Sequence, residues 1–132
     1  MTTSRTVPTQ SSTRTAALAF AADVVCVLIF VAIGRRNHAE GVTLAGIAQT
    51  AWPFLTGLSA AWLMYRAWRA PIAVRPTGIQ VWLSTVAIGM GIRAGIGAGI
   101  ALSFIAVATA FTGASLVGWR AAATALLRRR AG

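Results

Sequence analysis

Asp23 is the residue of this chain best placed to do chemistry. It sits about seven residues into an apolar run, Ala16 to Gly34, roughly 10 Å from the inner boundary of the helix that run would form. A carboxyl at that depth costs several kcal/mol unless it is protonated, paired or wetted, so it has to face a bundle interior. Arg93 and Arg120 are the candidate partners. Arg93 lies about 21 Å up the third apolar segment from its inner side. Helical side chains lean toward their own N-terminus, so Arg93 leans inward. Arg120 lies just past the inner end of the fourth segment and leans back into it. Depth alone leaves both open. The triad Asp23, Arg93 and Arg120 therefore forms a candidate intramembrane charge site with three readings. It could be an ion pair fixing helix register, a carboxyl that gains and loses a proton during transport, or a neutral acid bonded to a hydroxyl.

A second group of chemically capable residues fills the loop GRRNHAEG (residues 34–41). Arg35 and Arg36 close one helix and Glu40 opens the next, and each sign complements the dipole at its helix end by roughly 0.3 to 1 kcal/mol. Gly34 can take the left-handed conformation that ends a helix, and Thr43 can cap the first turn of the next. These features describe a well-made turn. His38 stands alone, and a metal site needs at least three ligands. His38 is placed near the outer surface and Asp23 near the inner one, too far apart to act together. No nucleotide loop and no nucleophile–base pair is present. The expectation is that the protein is no enzyme and takes no metal or cofactor.

The elements that position these residues are apolar helices. The chain has 132 residues, 57% hydrophobic and 11% charged, against about 25% charged in a soluble domain. A span needs about 20 mostly apolar residues, and four such segments fit: 15–34, 43–65, 78–95 and 99–117, the last with a helical pattern continuing to Leu127. Residues 1–14, rich in Ser and Thr, read as a disordered tail, 15–127 as the membrane domain, and 128–132 as a basic tail. The first run is too long for a signal peptide and lacks a cleavage site, so it reads as retained. The expected fold is an all-α integral membrane bundle of four transmembrane helices.

The net charge of +10 comes from twelve arginines. They lie at the edges of the apolar segments, whereas a nucleic-acid binder clusters them on one polar face. With the N-terminus inside, Arg5, Arg14, Arg66, Arg69, Arg75, Arg120 and Arg128 to Arg130 are cytoplasmic, and only Arg35, Arg36 and Arg93 face outward. The positive-inside rule thus gives both ends inside. Trp62, Tyr65, Trp68, Trp82 and Trp119 gather at the inner ends and read as an aromatic belt. Arg128, Arg129 and Arg130 read as an anchor to anionic lipid.

Three further features concern packing. Pro53 interrupts helix 2 and frees the carbonyl of Gln49, and with Thr50 this makes a polar spot near mid-membrane. It could serve packing, or line a lipid or quinone site against helix 3. Gly91, Gly95 and Gly99 recur every four residues, a spacing that lets helices approach closely in lipid or, with Gly97, serves a turn. Ser103, Ala106, Ala110 and Gly113 keep one face of helix 4 small. Cys26, the single cysteine, reads as a small buried hydrophobe.

The stretches DVVCVLIFVAIGRRNHAEG, AWPFLTGL, GMGIR and ALSFIAVA…GWR resemble a family of small, mainly actinobacterial membrane proteins known as domain of unknown function thirty fifty-four. The resemblance covers about Ala22 to Arg120. It implies four membrane helices in a bacterial inner membrane, with Asp23, Arg35, His38, Arg93 and Arg120 at the positions of the family's recurring polar elements. It implies no activity. Two functions are then expected to compete. One is a non-catalytic multi-pass subunit or self-associating bundle. The other is a small proton-coupled transporter using Asp23, similar to small multidrug exporters in architecture only.

Overall fold

A computed structural model describes residues 10–36 and 42–131. Among them the chain is helical throughout, without strands. Four helices make the bundle: α1 (Gln10–Arg35), α2 (Leu44–Met64), α3 (Ile79–Gly95) and α4 (Leu102–Ala131). Helix α1 begins at Gln10, so the N-terminal tail expected to be disordered as far as residue 14 is already helical for its last residues. The first helix also ends differently from expectation. Gly34 stays helical, the helix runs through Arg35, and the Arg36 N–H bonds the Ile33 carbonyl. The Thr43 cap is present, its hydroxyl accepting from the Gly46 N–H at 3.0 Å. His38 and Glu40 lie outside the described residues.

The glycine-rich stretch after α3 resolves as a helix stop. Gly97 takes φ +78°. The Ala98 N–H bonds the Arg93 carbonyl and the Gly97 N–H bonds the Ala94 carbonyl, the two bonds of a Schellman ending. Helix α4 therefore starts at Leu102, three residues later than expected, and Gly99 belongs to the turn. It then runs past Val117 to Ala131 through a π-helical turn, Gly113–Val117. The basic tail Arg128–Arg130 is thus exposed helix. At the other connection α2 ends without glycine, with Arg66 itself in the left-handed region at φ 52°.

Helix α3 packs mainly along α2, and the seam is closed by small residues. A Cβ on Gly89 would strike the ring of buried Phe54, and one on Gly57 would meet the Thr85 carbonyl. Pro53, next to Phe54 in sequence, is itself buried. Gln49 points outward, away from the expected polar spot. Gly91, Gly95 and Gly99 are also exposed, with open space where a Cβ would go, so they pack against no other helix among the described residues. Phe30, Phe54, Phe104 and Phe111 stack in the core, their rings about 5.6 to 6.2 Å apart. Two helices, Ser12–Arg35 and Leu102–Ala131, are long and apolar enough to cross a membrane.

Candidate functional site

The site is built around Asp23, whose side chain is completely buried in α1. Its partner is Arg120, equally buried, on the far half of α4. The guanidinium meets the carboxylate with both forks: Nη1 donates to Oδ1 at 2.8 Å and Nη2 to Oδ2 at 2.7 Å. Parallel forks of this kind are the strongest ion-pair geometry available to side chains. Arg120 reaches Asp23 as helix geometry requires, leaning back toward the α4 N-terminus, and Nη1 also donates to the Leu116 carbonyl one turn earlier at 3.0 Å.

Two indoles complete the shell. Trp62 on α2 donates from Nε1 to Oδ2 at 2.9 Å. Trp119 donates from Nε1 to Oδ1 at 2.8 Å. An ionised carboxylate offers about four lone-pair sites. Here each oxygen takes one guanidinium and one indole hydrogen, so all four sites are used. Trp119 also lies flat against the guanidinium, 4.6 Å from ring centre to Cζ, which adds a cation–π contact. Phe20 meets Trp62 edge-on at 5.2 Å and fixes that indole.

The fourth element is the α2–α3 connection. Arg120 Nε donates to the Pro71 carbonyl at 2.8 Å. The aliphatic stem of Arg120 runs past Gly78, where a Cβ would approach Cδ to 3.1 Å. One guanidinium therefore ties together α1, α4 and the α2–α3 connection, and Trp62 adds α2. Chemically this arrangement holds helices in register. Each carboxylate oxygen of Asp23 already accepts two hydrogen bonds.

Arg93 does not join this cluster, contrary to the expected triad. It lies at the end of α3 and donates to the Gly99 carbonyl from Nε at 3.1 Å and Nη2 at 2.7 Å. Its guanidinium also stacks over Phe104 at 4.6 Å. The carbonyl that satisfies it belongs to the turn that α3 itself creates. Nearby, Arg35 Nη1 donates to the Thr50 hydroxyl at 3.2 Å, and Gly46 leaves room for that guanidinium against α2. Phe30, Val31, Gly34, Arg35, Thr50, Arg93, Gly99, Ala101 and Phe104 enclose a cavity of about 360 Å³. Arg36 is exposed beside it in sequence.

Sequence reasoning misplaced the tryptophans. Trp62 and Trp119 donate to Asp23, a role the belt reading did not include, and Trp82 donates to the Thr109 carbonyl at 2.9 Å. Tyr65 and Trp68 remain exposed, as a belt requires. Arg120 is likewise no free cytoplasmic charge. The missed signal was stoichiometric: a buried carboxylate needs about four donors, one arginine supplies two, and Trp62 and Trp119 stood at the same end of the bundle.

A family model matches residues 20–123, a stretch that contains the whole Asp23 cluster and the outer cavity. The chain belongs to that family, described as a protein of unknown function, DUF3054. In DUF3054 terms, the matched region ends just after Arg120 and leaves Arg128 to Arg130 outside it. No curated protein and no solved structure matches the chain.

Proposed function

We propose that this DUF3054 chain is a multi-pass protein of the bacterial cytoplasmic (inner) membrane. In this reading all four helices cross, both ends lie inside, and the bundle serves as a non-catalytic subunit or self-associating scaffold. The observation that carries the functional part is the saturated Asp23. Four donors from Arg120, Trp62 and Trp119 fill both oxygens, an arrangement that suits a pin between helices. This arrangement supports a structural pin over the exporter reading.

The four-span reading draws support from the apolar exterior. Large hydrophobic residues stand exposed on every helix, among them Leu18 and Ile29 on α1, Leu44 and Leu63 on α2, Leu83 on α3, and Leu102 and Val107 on α4. Water-facing proteins rarely expose so continuous an apolar surface. Helix α3, with 17 residues, is at the short end for a span. The arginine distribution favours the inside location of both ends, with Arg128 to Arg130 set against anionic lipid. Self-association is supported by the outward-facing Gly91 and Gly95, around which no described residue comes within contact of an added Cβ.

The test is a mild-detergent pull-down of the tagged protein from its own membranes, with native mass spectrometry of the eluate. A stoichiometric larger complex, or a homo-oligomer, is the expected result. A monodisperse monomer would overturn the scaffold reading.

A further inference from the structure

We propose that the outer cavity binds an oxyanion carried on an apolar chain, such as a lipid phosphate. This goes beyond the scaffold reading, and nothing in it depends on the assembly state. The cavity brings two guanidiniums to one space, from the last turn of α1 (Arg35) and the end of α3 (Arg93). Asp23 is the one acid among the described residues, and Arg120 consumes it at the other end of the bundle. Arg93 therefore has no carboxylate partner among the described residues. Its Nε and Nη2 share one neutral carbonyl, and its Nη1 donates to nothing described. The Thr50 hydroxyl supplies a third polar contact. Phe30, Val31 and Phe104 supply the apolar wall, with the Arg93 guanidinium over the Phe104 ring.

A cavity of about 360 Å³ suits a headgroup and the first carbons of a chain, at the small end of the 300 to 1,000 Å³ that ligand pockets span. Two arginines recognise tetrahedral or planar oxyanions through paired N–H bonds. The aromatic wall favours a ligand whose charged end is followed by hydrocarbon. A free inorganic anion would use only half of this surface.

The experiment uses the full chain in neutral maltoside micelles, titrated with dodecyl phosphate, with inorganic phosphate and dodecanol as the two partial ligands. Saturable binding of dodecyl phosphate, at least tenfold tighter than either partial ligand, is expected. Arg93→Gln and Arg35→Gln should each weaken it by about tenfold or more, the loss of one charge-assisted contact. A thermal melt like that of the parent identifies the variants that still fold, and Arg93→Lys should recover part of the affinity. Equal binding in both glutamine variants overturns the proposal. So does equal binding of dodecanol or of inorganic phosphate. Glu40 follows Arg35 by five residues in sequence. Binding that emerges only in Glu40→Gln would also overturn the proposal, because the chain's own carboxylate would then be the native occupant.

Discussion

Replacing Arg120 by Gln tests whether the Asp23 cluster holds the bundle together. Arg120 makes four donated bonds: two to Asp23, one to the Pro71 carbonyl and one to the Leu116 carbonyl. Its loss leaves a fully buried carboxylate with only the two indole donors. Breaking one partner of a buried pair costs about 3–5 kcal/mol, a large share of the roughly 5–15 kcal/mol that holds a typical domain. Asp23→Asn should cost about 3 kcal/mol, because its amide group turns a donor toward another donor. The two changes act on one contact, so the double variant should cost at least about 2 kcal/mol less than the sum. Exchanging the two residues should not rescue stability. The indoles of Trp62 and Trp119 would then point their hydrogens at a guanidinium, and the Pro71 carbonyl would face an acid. The assay is denaturant unfolding in detergent micelles, followed by helical circular dichroism. Arg120→Lys, which keeps the charge but loses the paired geometry, serves where the glutamine variant does not fold. Strictly additive costs, a loss below about 1 kcal/mol, or recovery in the exchanged variant would each refute the pin.

Four further outcomes follow from the structure. Trp62→Phe and Trp119→Phe should each cost about 1.5–3 kcal/mol, the worth of a bond to a charged group, with Trp119 the larger because it also stacks on Arg120. The same unfolding assay checks this. Gly89→Ala forces a methyl against the buried Phe54 ring and should cost about 1–3 kcal/mol. Gly91→Ala, which meets open space, should be neutral or stabilising by up to about 1 kcal/mol. Gly95→Leu should leave the monomer's melting temperature unchanged while reducing the oligomer fraction in native mass spectra. An unchanged oligomer fraction would remove this face from any interface.

Helix positions were legible because apolar length is a strong signal. Boundaries of α2 and α3 fell within a residue of their expected places. The start of α4 was less legible, since glycines every four residues fit both a packing stripe and a turn. Only the backbone at Gly97 decides between them. Asp23 was legible as a residue in need of a partner, and Arg120 was one of two candidates. The choice between them rests on lateral placement, which depth along a helix does not encode. Arg93 found a carbonyl in its own turn, Gly99, six residues on. The indole donors escaped because tryptophan near a helix end satisfies two demands at once, interface and hydrogen bond. Their role depends on which face of each helix turns inward. The outer cavity was illegible for a similar reason: Arg35 and Arg93 are far apart in sequence, and each fits a bland role as a helix-end charge.

The most direct test of the proposed architecture is thiol labelling of single cysteines placed in a Cys26→Ala background, using a membrane-impermeant reagent on intact cells. Ile96→Cys marks the outer turn, and Ala70→Cys marks the α2–α3 connection that Arg120 ties down, both at exposed positions. If all four helices cross with both ends inside, Ile96→Cys is labelled on intact cells and Ala70→Cys only after permeabilisation. Labelling of Ala70→Cys on intact cells would contradict that arrangement; with Ile96→Cys labelled as well, it would leave α1 and α4 as the spans, and with Ile96→Cys protected it would invert the bundle.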